Sequence, residues 1–364
     1  MKIGLLIYGS LDTVSGGYLY DRQLVAWLRT CGHQVEILSL PWRSYLRHLT
    51  DNLSPELLRR LIEMPIDLLL EDELNHPSLF WLNGKVKREV SYPIISVVHH
   101  LRSSEDHPAL LMPLYRTIEA RYLHSVDGFV YNSHTTERTV QALITHNKPA
   151  IVAYPSGSHS SALNSIWLHE SITTRQHAQP FRLIFVGNLS ERKGLHTVIA
   201  GLATIGKVPW HLDVVGSTEV DKEYSAQIRN QLQQTGMAAR VTLHGRVSDE
   251  RLQQLLAQAH LMAMPSYEGF GIVYLEAMAY GLPVIASTAG AAHEIVTPGV
   301  NGFLVEPEGS KMLADYVTQL AQDRTVWYKM SMAARQRFDR HPTWQQSFAA
   351  LESWLLEMTQ KSGI

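Results

Sequence analysis

One pattern constrains this chain more than any other: short apolar runs alternate with stretches of helical spacing along nearly all of its 364 residues. Residues 3–8, 34–38, 66–70, 94–98, 128–131 and 150–153 read as strands. Between them, residues 18–31 and 114–124 carry apolar side chains at the spacing of one helix face. Strands alternating with helices predict a parallel sheet covered on both faces. Pro155-Ser156-Gly157 closes this first unit. A second series follows, at residues 181–186, 211–215, 241–243, 261–264, 283–286 and 302–305. The expectation is therefore α/β, two Rossmann-like units in tandem. Residues 161–180 read as a helix end and linker. The last stretch, 344–358, is amphipathic, with Trp344, Phe348, Leu351, Leu355 and Met358 on one face. From pattern alone it caps either unit.

Composition narrows the partners. The chain is 45% hydrophobic and 18% charged, with a net charge of -2, and neither half is basic. A nucleic-acid footprint is absent. Cys31 is the only cysteine, so no intramolecular disulfide forms. It reads as a buried thiol in an apolar helix. The eighteen histidines show no zinc spacing, and no metal site is expected. Glu71-Asp72-Glu73 reads as a surface acidic run. Residues 1–8 read as a buried first strand rather than a leader peptide. No stretch approaches the ~20 apolar residues of a membrane span. A cytoplasmic protein is expected, with peripheral contact to the cytoplasmic membrane face as an option.

The residues that carry chemistry stand after strands. Glu268 and Glu276 flank a helix start in Ser266-Tyr267-Glu268-Gly269-Phe270-Gly271-Ile272-Val273-Tyr274-Leu275-Glu276. Gly269 and Gly271 mark a tight loop, and residues 272–279 read as the helix. Backbone N–H groups at a helix start attract anions, and carboxylates accept from sugar hydroxyls. A sugar joined to a phosphate fits both. Two glutamates there also suit the helix dipole without any ligand. Ser15-Gly16-Gly17 opens a helix after the first strand, as phosphate-binding loops do. Arg192 and Lys193, before Gly194, offer a fork and a point charge to a diphosphate.

The run from Pro265 to Gly302, with Glu268, Glu276, Gly281, Pro283, Glu294 and Asn301-Gly302, resembles the donor-binding signature of retaining glycosyltransferases of family 4. The resemblance implies the GT-B fold, in which two Rossmann-like domains face across a cleft and the C-terminal helix crosses back to the first. It implies an acceptor-side domain over residues 1–165 plus 344–364, and a donor domain over 176–343. It implies a metal-independent, retaining hexosyltransferase using a nucleotide-diphosphate sugar, UDP-sugar foremost, as co-substrate and no other cofactor. Glu268, His99 and Lys193 take the catalytic places. Gly16, Gly17, Asn188, Arg192, Arg246, Val247, Gly269, Phe270, Gly271, Ile272 and Glu276 join Lys193 and Glu268 around the donor. Glu268 would hold sugar hydroxyls and Glu276 the ribose. His99 and His100 end the strand 94–98, and His100 and Arg102 fall on the acceptor side. The family commonly has Arg where this chain has Asn188, so Arg192 is expected to supply the missing charge. The retained stereochemistry comes from the resemblance alone.

The acceptor is less determined. Trp42-Arg43-Ser44-Tyr45-Leu46-Arg47-His48-Leu49 and Lys85-Val86-Lys87-Arg88 mix aromatics with basic residues, which suits an anionic membrane and a lipid or glycolipid acceptor. A soluble saccharide or small-molecule acceptor is the alternative. A sugar-nucleotide epimerase and a non-catalytic nucleotide-sugar-binding protein are further readings. Oligomeric state is not readable from the sequence.

Overall fold

The computed structural model describes residues 1–105, 107–157 and 165–361. It divides into two compact units, residues 1–155 with 342–364, and residues 156–341.

The first unit holds six parallel strands: β1 (Lys2–Tyr8), β2 (Gln34–Leu40), β3 (Leu68–Asp72), β4 (Ile94–Val98), β5 (Gly128–Tyr131) and β6 (Ala150–Val152). Their order is β2-β1-β3-β4-β5-β6. Alternate residues of β1 serve opposite faces, as a period of two requires. Leu6 and Tyr8 join one buried cluster, with Leu38, Ile94, Tyr122 and Phe129. Ile3, Leu5 and Ile7 join the other, with Leu24, Leu28 and Val97. Both faces are covered, which explains why these strands are apolar runs rather than alternating ones. The helix Gly16–Thr30 begins at Ser15, whose hydroxyl accepts from Tyr18 N. The helix Trp344–Lys361 buries Phe348, Leu351, Leu355 and Met358 in the second of these clusters. The chain thus returns to its first unit, as the family resemblance implies. Residues 362–364 of the expected closing segment lie outside the described residues.

Four expectations are corrected here. Residues 66–70 were expected to form a strand, but β3 runs from Leu68 to Asp72, and Glu71, Asp72 and Glu73 are all buried rather than on the surface. Asn83 Nδ2 donates to Glu71 Oε2 at 2.9 Å, so a partner rather than water meets that carboxylate. Cys31 is exposed, because the helix Gly16–Thr30 ends just before it. Residues 165–177 form a full helix, Ser165–His177, of the second unit. It buries Leu168 and Ile172, and Arg175 Nη2 donates to the carbonyl of Tyr280 at 2.7 Å. Residues 161–164 of the expected linker lie outside the described residues.

The second unit repeats the plan with β7 (Phe181–Val186), β8 (Trp210–Val215), β9 (Val241–Gly245), β10 (Leu261–Met264), β11 (Val284–Ser287) and β12 (Gly302–Val305). The order is β12-β11-β10-β7-β8-β9, all parallel. The order runs outward in opposite directions from the β7–β10 pair. Loops leaving the carboxyl ends of those two strands therefore diverge and leave a crevice, the usual ligand position in such sheets.

Candidate active site

The loops after β7 and β10 meet at that crevice. The β7 exit runs through a short turn, Glu191–Lys193, into the helix Leu195–Thr204. The β10 exit runs to the helix Ile272–Ala279. Gly194 joins them: its φ is +72°, and a β-carbon there would stand 2.8 Å from the carbonyl oxygen of Pro265. Only glycine allows both the left-handed backbone and this approach.

The apposition carries charge into contact. Lys193 Nζ forms an ion pair with Glu268 Oε1. The Ser266 hydroxyl donates to the same oxygen at 2.7 Å. Arg192 Nη1 donates to the carbonyl of Tyr267 at 2.8 Å. Burial alone would push the Glu268 carboxyl up, but the charges of Lys193 and Arg192 and the hydrogen bonds from Lys193 and Ser266 hold it below the usual glutamate range. Glu268 is therefore an ionised acceptor. Its backbone is fixed too, since Ala291 N donates to Glu268 O at 2.9 Å. The Tyr274 hydroxyl, one turn into the helix, donates to Met264 O at 3.0 Å and ties the helix to the end of β10. Glu276 is half-buried on the next turn of the helix. Phe270 is buried, with its ring 5.6 Å from that of His341, so it offers a ligand its backbone rather than its side chain.

Other expected donor residues are placed differently. Asn188 Oδ1 accepts from Ser217 N at 3.1 Å, tying the β7 exit to the β8 exit. Arg246 is exposed and Val247 half-buried just past β9, on the same edge of the sheet. Asn301 accepts from Thr297 N at 2.7 Å and donates to Ile295 O at 3.0 Å. That signature residue braces the turn into β12. A cavity of about 540 Å³ lies at the amino ends of β7 and β10, lined by Trp167, Arg175, Arg182 and His260 among others. None of the expected donor residues lines it.

In the first unit, Gly16 and Gly17 begin the helix after β1, and His99 follows β4. A β-carbon on Gly17 would stand 3.1 Å from His99 Cδ2, so the second glycine of the pair makes room for the imidazole. His99 Nε2 donates to Asp21 Oδ1 at 3.2 Å. Burial disfavours the charged ring, yet Asp21, Asp72 and Glu73 raise its pKa above the usual histidine value. His100 is half-buried and pairs with Glu105 at 3.1 Å. The Arg102 guanidinium lies against the rings of Tyr45 and Tyr115, 5.0 and 4.8 Å from their centroids.

Sequence reading missed two buried groups here. Asp21, Asp72 and His99 bring one ligand-type atom each within 4.8 Å of one another, as do Glu73, His76 and Glu119. Asp21, His99 and Glu119 lie far in sequence from residues 72–76, so spacing alone does not assemble either group. An aspartate on the apolar face of a predicted helix is the one available signal, and Asp21 is such a residue.

The comparisons match this architecture. The family model "Glycosyl transferases group 1" covers residues 172–337, nearly all of the second unit. A GDP-mannose-dependent alpha-(1-6)-phosphatidylinositol monomannoside mannosyltransferase of Mycobacterium tuberculosis is 31% identical over 183 residues, 48% of this chain and 46% of that protein. The chain spans less than half the length of the curated relatives it first matches. Sucrose-phosphate synthase from Thermosynechococcus elongatus superposes with a TM-score of 0.81 at 19% identity, over 99% of both chains. Anabaena Alr3699/HepE, solved with UDP and glucose, gives 0.75 at 21%, over 98% of this chain and 99% of that one. The second unit matches the group 1 glycosyl transferases, glycosyltransferase family 4, and the chain as a whole has the GT-B fold.

Proposed function

We propose that this protein is a retaining hexosyltransferase that moves a sugar from a nucleotide diphosphate to an acceptor hydroxyl. The observation that carries the reading is the Lys193–Glu268 pair at the strand-order switch, with Arg192 beside it. The second unit holds the donor, and the first unit the acceptor. The Lys193 ammonium has three N–H donors, so it can meet Glu268 and a phosphate oxygen together. Arg192 adds a second positive charge, and the backbone N–H groups before Ile272 a third source of stabilisation for the leaving diphosphate. Ionised Glu268 accepts from sugar hydroxyls, and Glu276 from the ribose.

The anomeric carbon–oxygen bond to the diphosphate breaks while the acceptor oxygen bonds to that carbon on the same face. The acceptor proton passes to the departing phosphate oxygen. No protein nucleophile and no metal enters this scheme, because Lys193 and Arg192 supply the positive charge. Turnover in EDTA tests that part.

UDP-sugar is the proposed donor, supported by the likeness to a protein solved with UDP and glucose; a named relative uses GDP-mannose. The proposed acceptor is a membrane lipid or glycolipid. Trp42, Leu46 and Trp81 of the first unit are exposed, and Lys85 lies over the Trp81 ring at 5.0 Å. Two cations of the sequence motif are already engaged, Arg43 with Asp51 and Lys87 with Asp127. Docking therefore rests more on the aromatic and leucine side chains than on charge. The peripheral, cytoplasmic placement is part of the same proposal, and no helix among the described residues is long and apolar enough to cross a membrane.

The test is incubation with labelled UDP- and GDP-sugars, with lipid extract in one arm and soluble sugars in the other. Transfer supports the reading. Isomerised donor would make the chain an epimerase, and binding without turnover a nucleotide-sugar receptor.

A further inference from the structure

We propose that Asp21 is a positioning residue for His99 in sugar transfer: its carboxylate fixes the imidazole at the β4 exit in the orientation the site uses. The inference rests on the transferase reading above and extends it to a residue that no motif marks.

The geometry is specific. Asp21 is fully buried on the helix Gly16–Thr30, four residues after Gly17 and so on the same face. That face presents two features to one ring. Gly17 leaves space at Cδ2, and Asp21 Oδ1 takes Nε2 at 3.2 Å. The Tyr20 ring stands edge-on at 5.1 Å. The backbone of His99 is held separately, by Asn132 Nδ2 donating to its carbonyl at 2.8 Å. The ring is therefore defined on three sides and the main chain on a fourth.

Asp21 accepts only, so it keeps a proton on Nε2. Nδ1 is then the ring atom through which His99 meets a ligand. A buried carboxylate is costly to desolvate and is weak evidence of stability even when paired. Its second oxygen, Oδ2, has no hydrogen-bond partner among the described residues. Facing the ring are Asp21 from the helix and Asp72 and Glu73 from the β3 exit, with His100 adjacent and also facing Glu73. Of these acids Asp21 is the one in hydrogen-bond contact with the ring, and it favours a protonated ring that donates from Nδ1 to a sugar or phosphate oxygen. The pair sits where β1, β3 and β4 end, the edge on which such sheets bind ligands.

The experiment uses the full chain and has two readouts. The first is steady-state transfer by wild type, Asp21→Asn, Asp21→Glu and Asp21→Ala, with the donor and acceptor identified by the screen. The second is NMR titration of the His99 ring in ¹⁵N-histidine-labelled protein without substrate, assigned with His99→Gln. For Asp21→Asn we expect kcat to fall about 10- to 100-fold, the order that loss of an orienting partner costs. Donor KM should stay within about threefold, as expected for an effect on the transition state rather than on binding. The His99 titration midpoint should drop, and the alkaline limb of the kcat profile should move with it. Should Asp21→Asn not fold, Asp21→Glu keeps the charge and displaces the oxygen: lowered kcat with a still-raised midpoint is the expected result. Wild-type kcat in the folded variant, or an unmoved midpoint in Asp21→Asn, overturns the proposal. Loss of turnover in EDTA, restored by Mg²⁺ in wild type but not in Asp21→Asn, also overturns it, since Asp21 would then act as a ligand. If wild type transfers no sugar in any arm, the proposed function fails and the positioning role with it. That result is distinct from a working enzyme indifferent to Asp21.

Discussion

Gly194 and Pro265 meet backbone to backbone: the α-carbon of one leaves no room for a β-carbon against the carbonyl of the other. This contact fixes the spacing of the two loops that carry Lys193 and Glu268. A site residue is thus set by a neighbour with no functional group.

Gly194→Ala tests that link. A left-handed backbone costs a non-glycine residue roughly 1–2 kcal/mol, and the close approach adds to it. The urea midpoint should fall with an unchanged slope, and donor affinity should fall with it. An unchanged midpoint would mean that the loops do not meet as described.

Glu268→Gln and Lys193→Ala should each reduce kcat/KM by about 2–4 kcal/mol in barrier height while leaving the far-UV circular dichroism intact. Both remove an interaction that strengthens as the diphosphate departs. Turnover at the wild-type rate in either variant would remove the donor site from these loops.

The same pair predicts an acid limb. The pKa of Glu268 is depressed, so stabilisation from its ionised form is complete above the ordinary glutamate value and is lost as pH falls through the lowered one. Removing Lys193 takes away the largest opposing charge and should move the limb to higher pH. A pH series of stability on Lys193→Ala and wild type reads this directly.

The first unit predicts the opposite trend. Burial pushes Glu71 and Glu73 up to about 7 and Asp72, beside Asp21, up to about 8. The folded state therefore holds protons that the unfolded state has released, and stability falls as pH rises from 6.5 to 8. His76, lowered to about 4 by burial, acts in the other sense only below 6.5. Asp72→Asn mimics the protonated acid and should flatten the fall, by an amount on the order of 1 kcal/mol or more. Chemical denaturation at both pH values checks it.

Liposome sedimentation tests the acceptor surface. Trp42→Ser, Leu46→Ser and Trp81→Ser should release the protein from anionic vesicles more than Arg43→Ser, whose guanidinium is held by Asp51 at 2.7 Å. If the wild type never sediments and soluble sugars are the faster acceptors, the membrane proposal is wrong.

Much of this was legible in the sequence because parallel strands buried on both faces announce themselves as apolar runs. Residues 94–98 and 128–131 match β4 and β5 to the residue. The β3 boundary slipped because Glu71 and Asp72 are charged in the sequence yet buried in the sheet, and hydrophobicity cannot show a hydrogen-bonded carboxylate. The helix Ser165–His177 was read as linker because its polar face dominates its short apolar stripe. The Lys193–Glu268 pair spans 75 positions, so the motifs supplied its members but not their contact. Asp21 had no motif at all, since its importance lies in what approaches it from β4.

The return of the chain at residue 342 bears on how the protein is made. Phe348, Leu351 and Leu355 complete a core that β1 began more than 300 residues earlier. The second unit is an uninterrupted segment and can close on the ribosome. The first cannot finish its apolar interior until residues 344–361 have emerged. Until then its sheet waits with one face unsealed, held in suspense by the sequence inserted between its halves. A released chain ending at residue 341 should display a protease-resistant second unit tethered to a protease-sensitive first one.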